Sequence, residues 1–164
     1  MVLWLCAAWF STSAQAGMPH GVHELEPRAA PALELRDIEG REHRLEAYRG
    51  RVLVVSFWST WCLPCRDELP GMVRTARALA TDGVRFVTVA MGQDAAEVNA
   101  YLARHPFDLP KLLDPTSRVS EAWRVQGLPT SFVVDPDGRL VLQVVGAYDW
   151  ESPEILARLR AQAR

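Results

Sequence analysis

Apolar residues run unbroken through Val52-Leu53-Val54-Val55 and continue, past Ser56, into Phe57 and Trp58. A short run of this kind, with no polar face, reads as a strand buried on both sides. Ser59-Thr60-Trp61 then makes a turn, and a helix opens inside Cys62-Leu63-Pro64-Cys65. Leu69, Met72, Val73, Ala76 and Leu79 recur at steps of three and four, one helical face laid against a sheet. Pro70 interrupts that pattern; it removes an amide donor and predicts a kink near Arg66. Thr81-Asp82-Gly83 ends the element, and Val84, Phe86, Val87 and Val89 form a second buried strand that stops at Ala90-Met91-Gly92.

The rest of the chain alternates in the same way. Asp94 with Glu97 three positions on has the capping-box pattern, and Ala95, Val98 and Leu102 face inward from the helix it starts. His105 to Pro110 is a loop, Leu112-Leu113 a very short strand, and a brief helix runs from Asp114-Pro115-Thr116 through Ala122-Trp123. Gly127-Leu128-Pro129-Thr130 turns into the strand Ser131 to Val134. Asp135-Pro136-Asp137-Gly138 is a strong turn signal, Leu140 to Val145 pairs back, and Pro153 to Ala163 closes as a helix with Ile155, Leu156 and Leu159 inward. Ahead of the central strand, Leu33-Glu34-Leu35 and His43-Arg44-Leu45 flank the turn Asp37-Ile38-Glu39-Gly40, predicting a small edge hairpin. The order is β-α-β-α-(β)-α-β-β-α behind a hairpin: an α/β fold with a central mixed sheet flanked by helices.

Three segments follow from this reading. Residues 32–164 form one domain, large enough for a full core. Residues 17–31, rich in Gly, Pro and His without periodicity, read as a flexible lead-in. His20 and His23 lie there with Glu24 nearby, a spacing that permits adventitious metal binding but reads more simply as a solvated linker. Residues 1–16 combine the apolar run Val2 to Phe10, the polar Ser11-Thr12-Ser13, and Ala14-Gln15-Ala16 in the small-x-small form of an export-signal cleavage site. The run is too short to span a bilayer, and Leu3-Trp4-Leu5 gives Cys6 no lipid-attachment context. The expectation is export to the periplasm with cleavage near Ala16, set against a hydrophobic N-terminal arm. Cleavage would leave Cys62 and Cys65 as the only cysteines, with no bystander thiol to mispair in an oxidising compartment.

Charge narrows the partners. The formal net charge is −2 with acids and bases mixed along the chain, so no basic tract exists to attract nucleic acid or anionic lipid. The cysteine pair carries the chemistry. Two thiols three positions apart at a helix start can close a disulfide with little backbone movement, and the first gains thiolate character from the helix's unpaired amides. Zinc sites use the same spacing, but there is no second cysteine pair and the nearest downstream histidine is His105. A purely structural bridge over so short a loop constrains the unfolded chain very little. No metal or cofactor is expected.

Phe57-Trp58-Ser59-Thr60-Trp61-Cys62-Leu63-Pro64-Cys65, Glu68-Leu69-Pro70, Gly127-Leu128-Pro129-Thr130-Ser131-Phe132 and Asp135-Pro136-Asp137-Gly138, with the insert before Leu112-Leu113, resemble the exported TlpA/ResA/CcmG-like thiol-disulfide oxidoreductases of the thioredoxin superfamily over about residues 32 to 162. The resemblance implies a thioredoxin-like fold, Cys62 as exposed nucleophile and Cys65 as buried resolving thiol. It implies a cis proline at Pro129 beside the disulfide, where the residues alone indicate only a turn. Cytosolic thioredoxin has a buried aspartate where this chain has Ser56; Glu68 matches the acid that this type places near the thiols instead. Held in a poorly solvated cleft, Glu68 should have a raised pKa and relay the proton of Cys65; otherwise it is a solvated first-turn acid, as Asp67 is expected to be. Trp61 is expected as a lip over the disulfide, Trp58 as packing or function, and Leu63, Pro64, Leu128 and Pro129 as the active-site wall, with Leu128 offering backbone groups to an extended client.

The same resemblance favours a reductant of client disulfides, such as apocytochrome c or a copper-site assembly protein, recharged by a membrane electron donor of the DsbD/CcdA type. Leu63 stands where related proteins often carry an acid or small polar residue. The alternatives are a disulfide donor, a peroxidase-like activity, and an assembly or binding module that holds cysteine-containing partners without turnover.

Overall fold

The computed structural model describes residues 19–163. The export signal read over residues 1–16, with Cys6 and the cleavage point at Ala16, lies outside the described residues. Strand β4 (Val52–Trp58) is the centre of the molecule and is buried at all seven positions. Alternation divides its side chains between two cores. Val52, Val54 and Trp58 join one cluster, while Leu53, Val55 and Phe57 join the other. A strand covered on both faces needs an unbroken apolar run, which is what the sequence supplies.

Eight strands form one sheet in the order β1-β8-β7-β4-β5-β6-β2-β3. Parallel to β4 run β5 (Val84–Met91) and then β6 (Lys111–Asp114). On the other side β7 (Thr130–Val134) pairs antiparallel with β4, and β8 (Arg139–Val145) pairs antiparallel with β7. The predicted hairpin is present as β2 (Glu34–Asp37) and β3 (Glu42–Arg44), and β2 continues the sheet beyond β6. Helices α1 (Leu63–Ala78), α2 (Ala95–Leu102) and α4 (Pro153–Gln162) bury Met72, Val98 and Ile155 in the core that holds both cysteines. Helix α3 (Arg118–Ala122) packs Val119 on the opposite face. This is the mixed, helix-flanked sheet expected of a thioredoxin-like fold. Among the described residues no helix is long and apolar enough to cross a membrane.

Two local expectations change. Gly21–Ala29, inside the stretch read as a flexible lead-in, is strand β1, antiparallel to β8. Its apolar signal is sparse because an edge strand needs few contacts: Val22 packs on one core and Leu25 on the other. The register shifts between Glu24 and Arg28, around Pro27, which has no N–H to give the ladder. The sheet therefore begins before residue 32. Pro70, expected to interrupt α1, lies within a helix assigned continuously from Leu63 to Ala78. It sits on the exposed side, where the lost amide bond costs least.

Candidate active site

The site lies where β4 passes into α1. Cys62 is the N-cap residue of α1, with an extended backbone, and its Sγ accepts a hydrogen bond from the Cys65 amide at 3.3 Å. A helix start leaves its first amides without partners inside the helix, so this sulfur meets a donor and the positive end of the dipole together. Pro64 occupies the first turn, where a missing N–H costs nothing. Cys62 and Cys65 form a disulfide with Cα atoms 5.3 Å apart.

The disulfide is less open than the expected exposed nucleophile. Cys62 retains 5 % of its surface and Cys65 1 %. Cys62 joins the buried core cluster that also holds Trp58, Cys65 and Leu69. Its neighbours face the other way: Trp61 and Leu63 are the exposed large hydrophobic residues of the described chain. Trp61 forms one wall of a groove of about 330 Å³ whose other walls include Met91, Ser117, Val125 and Leu128. Trp58 is a packing residue, fully buried against Tyr101 and edge-on to Phe107.

The peptide bond between Leu128 and Pro129 is cis. Thr130 pairs with Phe57, so the Leu128-Pro129 step sits at the same end of the sheet as the turn leading to Cys62. The Pro129 carbonyl accepts from the Gly146 amide at 2.9 Å, and Leu128 packs against the core that contains both cysteines.

Glu68 follows Cys65 by three residues and so lies on the same face of α1. It is buried, and its carboxylate accepts from the Tyr148 amide at 3.0 Å. Burial pushes its pKa up from 4.5 to about 7, against a smaller opposing pull from the Tyr148 amide and the Trp150 indole. That indole N–H lies near the carboxylate without reaching hydrogen-bond geometry, so its help is weak. A solvated first-turn acid is excluded; exposed Asp67 fits that description instead. Ser56, in the middle of β4, is buried with its hydroxyl unpartnered and supplies no charge beneath the thiols.

Two features were absent from the sequence reading. Tyr148 and Trp150, from the segment after β8, close the pocket around Glu68; nothing local marks them, because they reach it from 80 residues away. Gln93, two residues past the end of β5, is buried and hydrogen-bonds Thr60 twice. Its one sequence signal is position, just past the carboxyl end of a parallel strand, where sites in such sheets collect. Among the described residues no group of three His, Cys, Asp or Glu side chains could hold a metal ion.

Comparison with known proteins agrees with this geometry. The AhpC/TSA family matches residues 27–143. Thiol-disulfide oxidoreductase ResA of Geobacillus thermodenitrificans is 36 % identical over 117 residues, 71 % of this chain and 67 % of that protein. ResA of Geobacillus kaustophilus is 34 % identical over 125 residues, 76 % of this chain and 72 % of that protein. A Chlorobium tepidum protein assigned as thiol:disulfide interchange protein DsbE superposes with a TM-score of 0.76 at 28 % identity, covering 84 % of this chain and 99 % of the other. A second Chlorobium tepidum structure, a thioredoxin-family thiol:disulfide interchange protein, gives 0.73 at 25 %, covering 87 % and 100 %. A family match over most of the chain, relatives of one named activity and a cysteine pair closed at a helix start converge: the chain belongs to the AhpC/TSA family and is a protein thiol-disulfide oxidoreductase similar to ResA.

Proposed function

We propose that this protein is an exported reductant of client protein disulfides, acting in the periplasm. Reduced Cys62, as thiolate, attacks one sulfur of the client disulfide; the client's other sulfur leaves as thiolate and takes a proton. Cys65 then gives its proton to Glu68 and attacks the Cys62 sulfur, which releases the second client thiolate. The client gains two electrons, and Cys62 and Cys65 end as the disulfide. A membrane donor of the DsbD/CcdA type would return the two electrons. The client class favoured by the resemblance is apocytochrome c, whose cysteine pair must be reduced to take haem, or a copper-site assembly protein.

The observation that carries the mechanism is Glu68, buried on the helix face of Cys65 with a pKa near 7. An acid with that pKa can accept a proton and release it again near neutral pH, where an ordinary glutamate stays ionised. Apolar Trp61 and Leu63 around the thiols, together with Leu128, suit an extended client segment laid across the site.

The reduction potential of the Cys62/Cys65 pair, measured against glutathione or dithiothreitol, tests the direction. A value near about −270 mV, where thioredoxin lies, supports the reductant; one near about −120 mV, where DsbA lies, makes the protein a disulfide donor. Stoichiometric trapping of insulin as a mixed disulfide, without turnover in an insulin-reduction assay, would instead identify an assembly module.

A further inference from the structure

Residues 59 and 60 are both tied to the end of β5. The Ser59 hydroxyl donates to the Met91 carbonyl at 3.0 Å, and the Thr60 amide donates to Gln93 Oε1 at 2.7 Å. Gln93 Nε2 donates to the Thr60 hydroxyl at 2.7 Å. The orientation of this amide is settled by chemistry: the Thr60 N–H can only donate, so the carbonyl end of Gln93 must face it. Gln93 is 3 % exposed and commits both ends of its amide to one residue, two positions before Cys62. The Cys62 amide in turn donates to the Ser59 carbonyl at 3.1 Å, closing the turn, and the Cys62 sulfur accepts from Cys65. The chain of contacts runs from β5 to Cys62 without a gap.

We propose that Gln93 is a positioning residue for the redox reaction: its two hydrogen bonds to Thr60 hold the turn that aims the Cys62 sulfur at the α1 amides. The inference rests on Cys62 being the attacking thiol. A neutral amide does this without placing a charge beside the thiolate. When the turn is released, Cys62 meets the helix start less squarely and its thiolate is less stabilised. The reduced form then loses ground to the disulfide. The titratable groups nearby do not depend on Gln93. Glu68 faces the same core from α1 and bonds Tyr148, Asp94 is committed to the Glu97 amide as the α2 cap, Arg66 stacks its guanidinium over the Tyr101 ring, and Asp67 is exposed.

The test is a double-mutant cycle on the purified protein with Gln93→Met, Thr60→Val and both together. Three quantities are read: the equilibrium constant with glutathione, the pH midpoint of Cys62 alkylation by iodoacetamide, and Tm. Gln93→Met should lower the equilibrium constant for reduction about three- to tenfold and raise the alkylation midpoint by about half to one unit. Thr60→Val should move both in the same direction by less, and the double variant no further than Gln93→Met alone. A lowered Tm with wild-type equilibrium constant and midpoint would mean Gln93 only braces the fold, and additive effects would break the proposed link; either overturns the inference. If Gln93→Met does not fold, Thr60→Val alone decides by the same two readouts. Failure of the underlying reading looks different: Cys62→Ser would then retain insulin reduction whatever Gln93 does.

Discussion

Replacing Glu68 by Gln removes a charge that the fold is built to disfavour. The side chain is 8 % exposed, and burial raises its pKa from 4.5 to about 7. Below about pH 4.5 the carboxyl is protonated in both folded and unfolded protein, and burial carries no ionisation cost. Between 4.5 and about 7 the unfolded chain has lost this proton while the folded protein keeps it, so stability falls as pH rises. Above 7 the full cost is present. Two and a half units at about 1.4 kcal/mol each give about 3 kcal/mol. The amide of the Glu68→Gln variant cannot ionise, and its carbonyl can still accept from the Tyr148 N–H. The oxidised Glu68→Gln protein should therefore match wild type near pH 4.5 and exceed it by about 2–4 kcal/mol near pH 8. Guanidinium unfolding of both oxidised proteins across that range measures the difference, with the disulfide intact throughout. Parallel stability curves would refute the burial argument. The same substitution should slow release of a client from its mixed disulfide, because Cys65 has lost its proton acceptor; stopped-flow turnover of a model disulfide checks this separately.

Cys65→Ser should leave Cys62 able to attack but unable to be resolved, so client accumulates as a mixed disulfide visible on non-reducing gels; Cys62→Ser should trap none. In the edge hairpin, Asp37 accepts from the Glu39 and Arg41 amides and bonds the Arg41 guanidinium and His43, which in turn meets Tyr48. Burial pushes the Asp37 carboxyl up, but the His43 and Arg41 hydrogen bonds outweigh it and hold the pKa at about 2. Its contribution is present above the unfolded value of 3.8 and lost as pH falls toward 2, so Asp37→Asn should cost about 1–3 kcal/mol at neutral pH and little near pH 2, read by urea melts. Starting the chain at Pro31 removes β1, with its half-buried Val22 and Leu25. This should cost about 2 kcal/mol and expose the β8 edge to self-association, read by unfolding and light scattering; an equally stable monomer would count against the strand's role.

Interactions confined to a few neighbouring residues were legible in the amino-acid sequence. The buried run of β4, the helix opening at the cysteine pair, the hairpin and the Asp135-Gly138 turn are all present. So is the Asp94–Glu97 capping box, with both of its hydrogen bonds. Each is written in a period of two or three to four residues, or in the chemistry of one turn. The tertiary structure alone decided what depends on distant partners. Gly21–Ala29 becomes a strand because β8 offers an edge more than a hundred residues later, not because its own pattern demands one. Glu68 is a buried acid rather than a solvated one because Tyr148 and Trp150 come over it from beyond β8. Cys62 is covered, and Gln93 reaches Thr60, only once β4, β5 and α1 are assembled. Burial, and the pKa that follows from it, is a property of the surrounding fold; the sequence offered it for Glu68 only through the resemblance carried by Glu68-Leu69-Pro70, and the packing of Tyr148 and Trp150 supplies its cause.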